Sequence, residues 1–163
     1  MFELESPRSL FEEIQSALTE YNRKPNSRLF LFIVFSLNHL REWIAGNGAK
    51  EVYDKSKAGK ELSDGEVFLL EIGTLSEFNL VRLLCNKSKH ISVSLPYELT
   101  TSRGFHVGSP CTDSLDQLYY TIDGLDSRHV FCVVMQKYSE WFLKMISKLI
   151  LHTKKHKYLL GRN

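Results

Sequence analysis

The sequence predicts a mainly α-helical domain, a bundle of four to five helices with a small β-hairpin inserted before a long last helix. Three observations lead there. Apolar residues recur every three to four positions from Leu10 to Leu84, the period of helices that bury one face. After His90 the period drops to two, in Ile91-Ser-Val-Ser-Leu95 and again in Leu118-Tyr-Tyr-Thr-Ile122, as in half-buried strands. The helical period then returns and holds from about Arg128 to His152.

Each element has its own signals. Ser6-Pro7 opens the first helix with a capping hydroxyl and a proline at the first helical position, and the apolar face of Leu10, Phe11, Ile14, Ala17, Leu18 and Tyr21 runs to Asn22. Ser27 is placed to cap the second helix, Arg28 to about Ala45. Its first half is apolar nearly all round, so it must lie at the centre of the bundle, and Gly46-Asn-Gly48 ends it. Residues 49–63 are lysine-rich and weakly patterned, read as a short exposed helix or a loop. Asp64 to Ile72 is a short helix, and Gly73-Thr74 leads to a further helix from Ser76 to His90. Thr100 to Asp113 reads as an exposed loop, with a strand possible in composition at Phe105-His-Val107, and Asp123-Gly124 as the turn after the second strand.

Composition sets the class. The 163 residues suffice for one domain with a real core, 43% hydrophobic and 25% charged, and a net charge of +2 selects no partner. Three cysteines without a CxxC pair indicate neither a disulfide framework nor a zinc site, and the reducing cytoplasm is the expected compartment. The N-terminus lacks the basic start of a signal peptide, and the apolar run Leu29 to Leu37 is about half a membrane span, so no membrane association is expected. The stretch His152 to Lys157 reads as the start of a basic, solvated tail, 152–163, beyond an ordered core of 1–151.

The richest chemistry lies on the helix Ser76–His90. At 100° per residue Arg82, Asn86, Lys89 and His90 share an arc of about 100°, with Leu80, Leu83 and Leu84 on the other side. Burying the leucines would present a guanidinium, an amide, an ammonium and an imidazole together, an arrangement suited to an anion. Lys89 and Lys87 are the candidate ligand-binding cations. On the central helix His39 and Glu42 share a face with Phe32, Phe35 and Trp43. They read as satisfied core residues or as a pair that orients His90 or Arg82 from the neighbouring helix. No HExxH or H-x3-H spacing supports a metal, no glycine-rich loop supports a nucleotide phosphate, and no cofactor is implied. Cys85 lies about 140° from His90 along the helix and is expected to pack rather than react.

Two strings, Leu37-Asn-His-Leu-Arg-Glu-Trp-Ile44 and Leu84-Cys-Asn-Lys-Ser-Lys-His90, carry a resemblance. The second is similar to the Arg-Asn-x-x-x-His signature of the HEPN superfamily, helical bundles common in prokaryotic toxin, defence and mobile-element systems. The chain also resembles small bacterial and phage-associated proteins with a CNxxKH helix and a terminal hairpin and helix. The resemblance implies a HEPN-like, RNA-interacting protein, in catalytic members a metal-independent endoribonuclease whose site is shared by two subunits. Asn86 and His90 match the motif; Cys85 stands at its arginine position, and Arg82, one turn earlier, is the residue that would replace it. In that role His90 would move the proton of a 2′-hydroxyl, Arg82 and Lys89 would stabilise the developing charge, and Asn86 would orient ring or substrate.

The alternative is a non-catalytic dimeric bundle that binds a partner, with Asn86 and His90 holding the end of their own helix. Cys85 in place of arginine favours it. The expected partners are therefore a second copy of the chain, through the last helix and the Tyr119-Tyr120 strand, and RNA or another anionic ligand. The expected core is Phe30, Ile33, Leu37, Leu80, Leu84, Phe131 and Phe142.

Overall fold

The computed structural model describes residues 4–90, 98–104, 109, 111 and 113–160, excluding the side chains of 152–160. Among these residues six helices and three strands run α1 (Pro7–Arg23), α2 (Ser27–Ala45), α3 (Ala49–Lys57), α4 (Asp64–Ile72), α5 (Ser76–Lys89), β1 (Leu99–Arg103), β2 (Leu118–Ile122), β3 (Leu125–Asp126) and α6 (Ser127–Leu160). The fold is mainly helical with a small antiparallel sheet before the last helix, as the periodicity predicts. The expected strands at 91–95 and 105–107 lie outside the described residues.

Local chemistry accounts for the helix boundaries. Ser6 and Ser9 form a reciprocal capping box at the start of α1, with Pro7 in the first turn. Asn26, not Ser27, caps α2, accepting from the Leu29 N–H at 3.0 Å, and Gly46 ends α2 in the left-handed conformation at φ 71°. The lysine-rich stretch after Gly48 forms α3, which raises the count above the expected four to five. Only Val52 of α3 is buried, so its sequence carries almost no amphipathic signal.

Helices α1, α2, α5 and α6 enclose one core, in which Ile33, Leu37 and Leu40 of α2 meet Phe78, Val81 and Leu84 of α5 and Phe131, Val134 and Tyr138 of α6. The Tyr138 hydroxyl donates to the Leu37 carbonyl at 2.6 Å, which satisfies a polar atom in the centre of the bundle. Six of the seven expected core residues are buried; Leu80 is partly covered and packs at the margin. α4 approaches α2 so closely that a Cβ on Gly65 would sit 2.3 Å from the Ile44 carbonyl oxygen. No single helix among the described residues is long and apolar enough to cross a membrane.

The sheet has the order β1-β2-β3, with Leu99 opposite Ile122 and Ile122 opposite Leu125. Asp123 and Gly124, both at positive φ, form the two-residue turn between β2 and β3. β1 occupies the start of the stretch read as an exposed loop: its Thr and Ser side chains alternate between half-buried and exposed without apolar contrast. Tyr120 turns inward to within 5.1 Å of the Phe30 ring and 6.4 Å of the Tyr21 ring. Its surface is thus used in docking the sheet on the bundle. Arg128, at the start of α6, completes the attachment. It holds Asp126 through Nε and Nη2 and Asp113 through Nη1, all three side chains nearly buried.

Candidate functional site

α5 presents its polar residues to a different side than the wheel of three leucines implies. Its buried residues are Phe78, Val81, Leu84 and Cys85, whereas Leu80 and Leu83 are only half-buried. The buried arc is thus turned toward Val81 and Cys85. This brings Lys89, at the arc's edge, against α2, and leaves Arg82, Asn86 and His90 along the outer side.

The Arg82 guanidinium donates to the Asn79 side-chain oxygen Oδ1 at 2.6 Å, one turn back along its own helix. No hydrogen bond joins Arg82 to Asn86 or His90 among the described residues. His90 caps α5: its backbone N–H donates to the carbonyls of Asn86 and Lys87, and its ring is exposed. Asn86 and Lys87 are half-buried in the last turn. Lys87, Lys89 and His90 gather at a helix C-terminus, where the dipole favours cations rather than an incoming anion.

Lys89 reaches across to α2, where its Nζ lies 3.1 Å from Nε2 of His39. Nδ1 of His39 in turn lies 3.4 Å from Glu42, whose other carboxylate oxygen accepts the Ala49 N–H at 3.2 Å. Glu42 and His39 therefore act on Lys89 and on the start of α3, and neither touches Arg82 or His90. An ammonium that donates to an imidazole, itself donating to a carboxylate, forms a charge-balanced strut between helices. It contains no nucleophile. Cys85 is buried beside it, and burial pushes its thiol up, opposed only in part by Lys89, so it is held protonated and inert.

Sequence reasoning missed the buried polar residues of α2. Arg41 is 4% exposed, with its guanidinium carbon 4.8 Å from the Phe78 ring centre, and its Nε and Nη1 have no hydrogen-bond partner among the described residues. The Asn38 side-chain oxygen Oδ1, one turn earlier, is buried and has no partner among the described residues as well. The available signal was their position in an otherwise apolar helix, but pattern alone does not say what lies opposite. At the other end of α5 a cavity of about 520 Å³ is lined by Phe68, Ile72, Leu75 and Trp141 together with Glu71, Glu140, Lys137 and Lys144. No group of three or more His, Cys, Asp or Glu side chains is arranged as metal ligands among the described residues.

Among the described residues these features define a six-helix bundle with a docked three-stranded sheet. Comparison of the chain with protein-family models, with curated proteins and with solved structures finds no match.

Proposed function

We propose that the protein is a non-catalytic helical-bundle binding module that works as a homodimer. One observation carries this reading: between Leu143 and Leu151, α6 leaves apolar residues exposed. Leu143 is 64% exposed and Leu151 67%, and Ile146 and Ile150 are exposed with them. Isolated exposed leucines are ordinary, but a contiguous apolar helix face marks a surface that another surface covers. The bond of Arg82 to Asn79 and the capping role of His90 support the same reading over a degenerate HEPN-like endoribonuclease. An RNase needs its general acid or base and its phosphate-binding cation within reach of one phosphate.

The test is light scattering at high protein concentration, run beside an RNA cleavage assay. The expected result is a species of twice the 18.9 kDa chain mass. Ile146→Lys should return it to the monomer, while Arg82→Ala and His90→Ala leave the dimer intact. Cleavage of RNA by the wild type, lost in His90→Ala, would overturn the proposal in favour of the ribonuclease.

A further inference from the structure

The cavity of about 520 Å³ bounded by α4, the turn to α5 and α6 lies in the size range in which proteins hold small ligands, about 300–1,000 Å³. Its apolar floor is fixed by the core. Phe68 and Ile72 are buried, and the Trp141 ring is held 5.6 Å from the Phe68 ring and 4.9 Å from that of Phe142. An apolar group that covers this floor leaves water, which is a favourable transfer. Two lysines and two glutamates line the same space, so their charges sum to zero. Pairing leaves one of each sign. Lys137 holds Glu140 at 2.9 Å, and Lys148, one turn beyond Lys144, holds Asp64 at 2.7 Å. The Lys144 ammonium acts on Asp64 through space only. Among the described residues neither that ammonium nor the Glu71 carboxylate has a hydrogen bond or ion pair, and the two form none with each other.

We infer that this cavity binds a free α-amino acid with an aromatic or large aliphatic side chain. The side chain covers Phe68 and Trp141, the carboxylate meets Lys144 and the ammonium meets Glu71. The charge balance selects that class. An apolar acid would bring its carboxylate to Glu71 as well as to Lys144, and an apolar amine would meet the reverse. A polyanion would face two carboxylates. A ligand with both signs leaves neither unpaired group opposed. The cavity is separate from the dimer face proposed above and does not depend on it. At 100° per residue Lys137 and Lys144 lie within about 60° of Trp141, whereas Leu143, Ile146 and Ile150 lie about 140–200° around the helix from it.

Trp141 supplies the readout. In the full chain carrying Trp43→Phe it is the one remaining tryptophan, and L-phenylalanine or L-leucine should change its emission saturably. Hydrocinnamate and phenethylamine, which each lack one charge of phenylalanine, should bind about tenfold more weakly, and glycine should leave the emission unchanged. Lys144→Met and Glu71→Gln should each weaken L-phenylalanine by about tenfold at an unchanged melting temperature, because both side chains are exposed. The two variants should part on hydrocinnamate: Lys144→Met weakens it, whereas Glu71→Gln, which removes the opposing charge, tightens it. No saturable change with either amino acid would overturn the assignment. Hydrocinnamate bound as tightly as L-phenylalanine would also overturn it, in favour of an apolar anion at Lys144 alone. Wild-type affinity in both variants would reduce binding to apolar adsorption and overturn it as well. None of these results bears on the dimer, which light scattering decides separately.

Discussion

Lys89 Nζ lies 3.1 Å from Nε2 of His39, across the gap between α5 and α2. The contact turns what reads in the sequence as a ligand-binding cation into a strut between helices. Both residues are solvent-accessible, so the pair should add only about 0.2–1 kcal/mol, the range of exposed polar pairs. A double-mutant cycle of His39→Ala and Lys89→Ala should therefore show a coupling of that size between the two side chains. Strictly additive losses would refute the assignment.

Glu66 should contribute to the acid limb of stability. Its carboxylate is 1% exposed and takes hydrogen bonds from Lys55 at 2.7 Å, the Ser63 N–H at 2.8 Å and Asn47 at 2.9 Å. The Lys55 hydrogen bond first, then that of Ser63, lower its pKa from 4.5 to about 2. A depressed carboxylate pKa contributes stability that is full above the unfolded value and lost as pH falls through the folded one. The contribution should thus fade between about pH 4.5 and pH 2. Melting temperature measured across that window should fall more steeply for the wild type than for Glu66→Gln; parallel curves would disprove the linkage.

The buried trio of Arg128, Asp126 and Asp113 fastens the sheet to the start of α6. Removing one member of a buried ion group strands the others, at about 3–5 kcal/mol. Arg128→Ala should lower stability by that amount in chemical denaturation. It should also raise hydrogen exchange in β2 and β3 before the bundle core, because the trio and the Tyr21–Ser127 hydrogen bond of 2.8 Å both lie at that junction. A loss below about 1 kcal/mol would show the trio to be dispensable.

Arg41 presents the opposite case, a buried cation stacked on Phe78 with two unpartnered nitrogens. A desolvated cation–π contact contributes about 2 kcal/mol, whereas the desolvation of an ion costs several. Arg41→Met, which keeps the length and the contact with Phe78, should leave stability unchanged or raise it by up to about 4 kcal/mol. A loss of more than about 2 kcal/mol would mean that the guanidinium has a partner in solution.

By itself the sequence determined what depends on near neighbours along the chain. The Ser6-Pro7 start, the Gly46 stop, the Asp123-Gly124 turn and the apolar period of α1, α2 and α6 are local, because capping, positive φ and amphipathic spacing act within a few residues. α3 escaped because a helix that buries only Val52 has almost no apolar face to read. β1 escaped because its Thr-Thr-Ser run has no contrast between faces, and its pairing with β2 bridges a connection of fourteen residues. The rotation of α5, the turning of Lys89 toward His39 and the trio that joins Asp113 to Arg128 were decided only by the tertiary structure. Each depends on which elements pack together over a long stretch of chain, and helical spacing fixes which residues share a face but not what that face meets.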